Sequence, residues 1–228
     1  MRILALETST IDGSVAALED DRVLGQTCLD PQLRTAQSFA PAIAERLQAV
    51  DWGPDDVQLI AVTQGPGSFT GLRIGVTAAK TLAYAVGAEV IGVNTLKVIA
   101  CQTPQDLPQI CAVFDAQRQQ LFVASFRRRG DDLEAVSEPE IVDNDVWLAG
   151  LPAGIAVTGP GLTRLRARLP TSVTVVDPGN WVPRAATVGR VGYLEYQQGK
   201  RDDLWKLNPL YYRKSAAEEK LEAKGGQP

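Results

Sequence analysis

Two acidic residues stand at the ends of apolar segments, and a polar turn follows each of them. Glu7 is followed by Thr8 and Ser9, and Asp115 holds the corresponding place in the second half of the chain. A carboxylate beside hydroxyl groups offers the oxygen ligands that Mg²⁺ and a bound nucleotide need. A later Gly-Pro-Gly turn could grip the nucleoside. The candidate nucleotide-binding residues are Glu7, Thr8, Ser9, Asp115 and Gly159.

The same turns lack the glycines that phosphate-binding loops use for close backbone approach. The turn after Glu7 has no glycine before Gly13, and the turn from Asp115 to Gln120 has none. Their order along the chain is that of the nucleotide loops in actin-like ATPases and sugar kinases, which usually carry Asp where this chain has Glu7. The pattern therefore predicts the fold better than the activity. We expect no metal and no required cofactor, with weak ATP or ADP binding left open.

A glycine-rich stretch, Gly65 to Gly75, joins an apolar segment to a helical one. It is not a phosphate-binding P-loop, because Leu72 follows its last loop glycine where that motif requires lysine. It is not G-x-G-x-x-G either, because Thr70 stands at the last glycine position. The stretch favours a structural strand-to-helix turn, with Ser68 or Thr70 as the N-cap.

Small residues recur every four positions beyond that turn and on the preceding predicted helix. Residues four apart are neighbours on a helix, so each set makes a shallow groove. Two interpretations stay open: the helices pack within their own fold, or part of this surface docks the helices of another protein. The first set is Gly71, Gly75, Ala79, Ala83 and Gly87, and the second is Ala36, Ala40 and Ala44.

Composition excludes several classes of protein. The chain has no histidine, which argues against zinc hydrolases and histidine-based triads. Lys and Arg number 23 against 27 Asp and Glu, so the chain alone is poorly suited to nucleic acid. Its three cysteines form no C-x-x-C pair and fit reduced thiols. Without a signal-peptide pattern or an apolar run of about 18 residues, we expect a cytoplasmic protein with no membrane partner.

The order of predicted elements repeats. Ile60–Gly67 reads IAVTQGPG and Ile155–Gly161 reads IAVTGPG, and Glu7 and Asp115 precede them in matching places. We therefore predict an α/β chain of two duplicated βββαβα-type units with a cleft between them. The expected division is a first lobe over residues 1–104 that carries the two small-residue helices, a second lobe over 105–214 and a flexible tail over 215–228.

The sequence resembles the TsaB (YeaZ) family, bacterial partners in the threonylcarbamoyladenosine modification of tRNA. The Gly65–Gly75 stretch is the most specific match, and three further segments support it in the family's order along nearly the whole chain. These segments are Ile3–Thr10, Asp115–Arg118, and Pro209–Arg213 with Ala217 and Glu218. The resemblance implies a two-lobed actin-like/Hsp70-like (ASKHA) fold.

The resemblance also implies a non-catalytic subunit. In such complexes the TsaD subunit carries metal-binding histidines and transfers threonylcarbamoyl to adenosine 37 of tRNA, and the ATPase TsaE joins them. TsaB proteins dock TsaD through the two helices of the first lobe. We expect the same apolar face to form a homodimer when the partner is absent, and we expect contact with tRNA only indirectly, through the complex. The residues assigned to partner binding are Ala36, Ala40, Ile43, Phe69, Leu72, Arg73, Gly75 and Ala79. We expect Arg73 to pair with a carboxylate, in its own fold or in the partner.

Two departures from the family pattern argue further against nucleotide chemistry in this chain. Glu7 replaces the usual Asp, and the histidine common before the first helix is absent near residues 32–38. The main alternative function is a small-molecule kinase or ATPase of the same fold, with Glu7 and Asp115 on Mg²⁺. A peptidase is a second alternative, and the missing histidine speaks against it.

Overall fold

A computed structural model describes residues 1–30, 32–130 and 132–213 of the chain. Two sheets organise it, and the first contains five strands in the order β3-β2-β1-β4-β5. Strands β1 to β3 form an antiparallel meander, whereas β4 and β5 run parallel to β1. The bounds of these strands are β1 Arg2–Glu7, β2 Ser14–Glu19, β3 Arg22–Cys28, β4 Leu59–Gly65 and β5 Glu89–Asn94.

The second sheet repeats this arrangement in the order β11-β10-β6-β7-β8, with β9 pairing beside β8 on β7. Its antiparallel and parallel pairs fall in the same places as those of the first sheet. Strands β4 and β10, which carry the repeated Ile-Ala-Val-Thr, are therefore equivalent, and the predicted duplication is confirmed. The bounds are β6 Gln109–Asp115, β7 Gln120–Arg129, β8 Asp132–Ala135, β9 Glu140–Asp143, β10 Ala156–Thr158 and β11 Thr174–Val175.

In the described part of the chain, five α-helices surround the sheets: α1 Thr35–Gln48, α2 Phe69–Val86, α3 Thr95–Cys101, α4 Asn144–Ala149 and α5 Ala185–Gln197. Helices α1 and α2 cover one face of the first sheet, where Phe39, Val76 and Ala79 pack with Leu4 and Val62. After β10 the chain forms two short 3₁₀ helices, Pro160–Arg164 and Arg166–Arg168.

The expected division of the lobes differs from the structure in two places. Helix α3, assigned to the first lobe, packs Leu96 and Ile99 into the core of the second sheet. Helix α5, assigned to the second lobe, packs Ala185 and Val188 onto the first. One face of the first sheet is apolar and must be covered, and α5 packs on it. The need to bury this face places α5 on the first lobe, although α5 follows the second lobe in the chain. The tail expected over 215–228 lies outside the described residues.

No helix among the described residues is long and apolar enough to cross a membrane.

Candidate functional site

The carboxylate of Glu7 is turned into the first lobe. The residue is fully buried at the end of β1, and its Oε1 accepts hydrogen bonds from the backbone N–H of Ser9 at 2.6 Å and from the Ser9 hydroxyl. The Thr63 hydroxyl donates to the same oxygen at 3.4 Å. Burial raises the pKa of Glu7 to about 7, although these hydrogen bonds act in the opposite direction. The group is thus held by its own lobe rather than presented to a ligand.

The glycines of the Gly65–Gly75 stretch allow the start of α2 to pack closely against the turn after β1. A Cβ built on Gly71 would lie 2.0 Å from the Thr8 carbonyl oxygen, and one on Gly75 would lie 2.2 Å from the Thr8 hydroxyl oxygen. At Gly67 it would lie 2.5 Å from the Cβ of Ser9. Close approach therefore takes place between α2 and its own sheet. Ser68 caps the helix as predicted, accepting a hydrogen bond from the Gly71 N–H at 3.2 Å.

This packing corrects part of the predicted partner-binding set. Leu72 and Ala79 are 1% and 0% exposed, so their side chains face the interior. Gly75 lies on the same side of α2 and is buried against Thr8. The sequence showed that small residues were required on α2 but not which face of the helix needed them. On α1 the small residues behave differently, because Ala36 and Ala40 are both exposed.

An open groove between α1 and α2, which we call the α1–α2 groove, has a volume of ≈ 670 Å³. Ala40, Ile43 and Arg73 of the predicted set line it. Ala36 lies one helical turn before Ala40 and is outside the lining, and Phe69 faces the interlobe cleft described below. Apart from Arg73 and two threonines the lining is apolar, and it comprises Phe39, Ala40, Ile43, Ala44, Leu47, Pro54, Arg73, Ile74, Thr77, Ala78, Thr81 and Leu82.

A second cavity, the interlobe cleft, lies between the two sheets and has a volume of ≈ 750 Å³. Ser9 and Asp115 of the predicted nucleotide set line it, whereas Glu7 and Thr8 are buried beneath its wall. Gly159 is buried too; a Cβ there would lie 2.1 Å from the Val113 carbonyl oxygen, and its φ of 117° suits glycine. The two predicted carboxylates therefore do not meet in one site. Among the described residues, no group of three or more Cys, Asp or Glu converges to hold a metal.

The wall of the cleft on the second lobe is the turn predicted between Asp115 and Gln120, and its backbone conformation is unusual. Gln117, Arg118 and Gln119 have φ values of 62°, 54° and 60°, three successive non-glycine residues in the left-handed region. Asp115 supports the turn, because its Oδ1 accepts a hydrogen bond from the Gln117 N–H at 2.8 Å. The sequence predicted the turn itself, but without a glycine it gave no signal for the three left-handed residues.

The segment Leu207–Arg213, which we call the strap, crosses the cleft and contacts both lobes. On the first lobe, the Leu210 N–H donates to the Gln64 carbonyl oxygen at 2.7 Å, and the Tyr211 ring stacks on Phe69 with centroids 4.4 Å apart. On the second, Arg213 donates to the Ala116 carbonyl oxygen and the Gln120 side chain. The sequence marked Pro209–Arg213 only as a family segment, and its role in lining the cleft was not predicted.

Arg73 connects the strap to the α1–α2 groove. Its guanidinium carbon lies 4.1 Å from the centroid of the Phe69 ring, and its Nε donates to the Tyr211 hydroxyl at 3.1 Å. Arg73 thus lines the groove while it contacts two residues, Phe69 and Tyr211, that line the interlobe cleft. The carboxylate expected for Arg73 within the fold is not found among the described residues.

Comparison with known proteins identifies the family. The family model for TsaD, tRNA N6-adenosine threonylcarbamoyltransferase, matches residues 33–170, more than half of the chain. The tRNA threonylcarbamoyladenosine biosynthesis protein TsaB of Escherichia coli (strain K12) is 30% identical over 233 residues, covering 98% of this chain and 100% of that protein. The protein of the same name from Bacillus subtilis (strain 168) is 34% identical over 149 residues, covering 65% of this chain. That alignment spans 63% of the Bacillus protein, less than two thirds of its length.

A solved structure of YeaZ from Pseudomonas aeruginosa superposes with a TM-score of 0.81 at 24% identity, covering 92% of this chain and 99% of that one. The similarity extends through both sheets, and it confirms the two-lobed actin-like α/β fold. On the full-length likeness to the Escherichia coli protein and the segments that carry it, the chain belongs to the TsaB (YeaZ) family.

Proposed function

We propose that this protein is a non-catalytic subunit that binds the transferase TsaD, together with TsaE, in the threonylcarbamoylation of adenosine 37 of tRNA. The observation that carries the proposal is the α1–α2 groove, an apolar surface open to solvent between two helices. The relatives' names place them in threonylcarbamoyladenosine biosynthesis. In this account the protein works in the cytoplasm and meets tRNA only through the complex.

The groove has the character of a helix-binding surface. Ala40 and Ala44 on α1, with Ala78 on α2, offer little side-chain volume, so an approaching helix can lie close. Phe39 and Leu47 close the floor and are 3% and 6% exposed. An apolar surface of this kind, in contact with water on a lone chain, is typical of an interaction site.

The transferase is a suitable occupant because it is related to this chain. Its family model matches residues 33–170, a range that contains both α1 and α2. A relative with the equivalent helix pair can pack against this one about a pseudo-twofold axis, each pair filling the groove of the other. Without the transferase, a second copy of this chain can use the same face, which accounts for the expected homodimer.

Catalytic inactivity is supported by the position of Glu7. Its carboxyl group is buried and accepts hydrogen bonds from Ser9 and Thr63, so it is not directed toward a metal or phosphate in the cleft. The start of α2 occupies the space beside Thr8 that a phosphate loop would leave open. Asp115 alone borders the cleft, which is compatible with weak ATP or ADP binding without turnover.

The alternative of a kinase or ATPase rests on that same cleft and on Asp115. Calorimetry of the isolated chain with Mg-ATP separates the two functions. Micromolar affinity with phosphate release by the isolated chain would favour the alternative and contradict the scaffold proposal. Weak binding without phosphate release agrees with the scaffold.

Reconstitution tests the proposed function directly. Purified TsaD and TsaE are incubated with unmodified tRNA, ATP and a threonylcarbamoyl-adenylate source, with and without this chain, and the modified nucleoside is measured. We expect modification only when the chain is present, together with a stable complex on size-exclusion chromatography. Equal modification in its absence would reject the proposal.

A further inference from the structure

The lining of the α1–α2 groove contains one charged side chain among the described residues, Arg73. It lies in the second turn of α2, at the end of the groove nearest the interlobe cleft. Every other lining residue is apolar or a threonine. The two ends of the groove therefore differ: the groove is apolar along its length and carries a positive charge at one end.

The guanidinium of Arg73 is held in place before any partner arrives. Phe69 lies beneath it at 4.1 Å, and the Tyr211 hydroxyl accepts its Nε–H at 3.1 Å. The rings of Phe69 and Tyr211 stack on each other, so the strap and the first turn of α2 form one support. Contacts of a guanidinium with aromatic faces are attractive and leave its edge available for hydrogen bonds.

Among the described residues, no acidic side chain uses the remaining donors of Arg73. Across residues 1–30, 32–130 and 132–213, no carboxylate forms an ion pair with it, although the side chain is exposed. A planar guanidinium with its Nε occupied still presents two terminal NH₂ groups, the arrangement that recognises a carboxylate. An arginine that is fixed in position but unpaired at the end of an apolar groove is suited to a partner's acid.

We propose that Tyr211 positions Arg73 to receive a carboxylate from the helix that enters the α1–α2 groove. This inference rests on the proposed function and adds the chemistry of the partner segment. That segment is a helix with an apolar face and an Asp or Glu at the end that lies over the start of α2. The ion pair fixes the direction of the helix, because the reversed orientation would place the acid over apolar side chains. Tyr211 is a positioning residue, acting on the partner only through Arg73.

The first test uses the isolated chain. Nitrogen-15 relaxation of the Arg73 Nε–Hε group is compared in the wild type and in Tyr211→Phe, which keeps the ring stack and removes the hydroxyl. We expect an ordered side chain in the wild type and a clearly more mobile one in the variant. Tyr84→Phe is the matched control, because Tyr84 is an exposed tyrosine near the other end of α2. Unchanged mobility in Tyr211→Phe would overturn the positioning role.

The second test is a double-mutant cycle on affinity for the transferase subunit, measured by calorimetry. Arg73→Met keeps the aliphatic stem and should weaken binding at least about tenfold, because it leaves a partner carboxylate unpaired. Tyr211→Phe should weaken binding roughly two- to tenfold, since the partner must then order Arg73. In the Arg73→Met background, Tyr211→Phe should have no further effect.

The outcomes separate this inference from the function on which it rests. If the wild type binds the transferase but the two losses are additive, the inference is wrong and the proposed function stands. If Arg73→Met binds as well as the wild type, no partner carboxylate is present and the inference is wrong. If the wild type does not bind the transferase at all, the proposed function fails, and the ion pair fails with it.

Discussion

Gly71 lies against the backbone carbonyl of Thr8, and a Cβ at this glycine would lie 2.0 Å from the carbonyl oxygen. The contact joins the first turn of α2 to the turn that follows β1. The glycines of α2 therefore serve packing within the protein's own fold, because a larger residue would push the helix away from the sheet. The surface left for a partner is the other side of α2, where it faces α1 across the groove.

Replacing Gly71 by alanine should lower the free energy of unfolding by about 1–3 kcal/mol. Alanine favours a helix over glycine by about 1 kcal/mol, but the collision with a backbone oxygen requires the helix to shift. Urea denaturation of the isolated chain measures the effect. Gly53→Ala is the matched control, because the nearest atom to its Cβ would be 3.7 Å away and its φ is −78°. Equal stability of the two variants would show that α2 does not press on Thr8. The same packing at Gly75 means that bulky substitutions there test folding rather than docking.

The protein should lose stability as the pH rises from about 5.5 to about 8. The folded protein holds the proton of Glu7 up to about pH 7, whereas an unfolded glutamic acid releases it near its ordinary value of 4.5. Folding therefore takes up a proton in this interval, and the free energy of unfolding falls by about 2 kcal/mol. The lowered pKa values of Asp20 and Asp132 act at more acidic pH, and the chain has no histidine to titrate in the interval.

Glu7→Gln is the control for this pH dependence. Its amide oxygen can still accept the hydrogen bonds of Ser9 and Thr63, while the titrating proton is gone. Urea denaturation at both pH values should show a flatter profile for the variant. A wild type whose stability rises over the same interval would contradict the burial of a protonated Glu7.

Replacing Lys97 by methionine should destabilise the protein by about 1–3 kcal/mol. Lys97 lies on α3 and pairs with Asp132 of β8 at 3.4 Å and with Glu195 of α5 at 3.2 Å. Burial opposes its charge, yet Glu195 and Asp132 raise its pKa. The substitution leaves two partly buried carboxylates without this cation, although partial exposure reduces the loss.

The control is Lys206→Met, at an exposed lysine, which should change stability by less than about 0.5 kcal/mol. Comparable losses in the two variants, measured in urea, would show that Lys97 does not join the lobes.

The sequence predicted the repeated architecture because the repeated elements are local. Ile-Ala-Val-Thr before Gly-Pro-Gly and an acid at the end of an apolar strand recur in both halves, and they occupy equivalent places in the two sheets. The N-cap of α2 was predictable for the same reason, since Ser68 acts within the first turn of the helix. The path of α5 was not predictable from chain order, because it depends on which sheet face lacks a cover.

The candidate site was predicted only in part, since the sequence shows how residues are spaced along a helix but not which neighbour each helix face contacts. Four-residue spacing identified small residues on both helices. On α2, Gly71 and Gly75 face Thr8, whereas the small residues of α1 face solvent. The strap was missed as a site element because its contacts join residues more than 90 positions apart, as between Arg213 and Gln120. Arg73 was assigned to docking, but its support by Tyr211 depends on another distant contact, between residues 138 positions apart.

The affinity of TsaD for two matched variants of this chain tests the central claim most directly. Ala40→Glu places a charge in the α1–α2 groove, and Ala85→Glu places the same charge on an exposed part of α2 outside it. Each lone variant should remain within about 0.5 kcal/mol of the wild type in stability, because both alanines are exposed. By calorimetry we predict that Ala40→Glu loses more than about a hundredfold in affinity while Ala85→Glu binds as the wild type does. Unchanged binding by Ala40→Glu, with the variant folded, would contradict the groove as the docking surface.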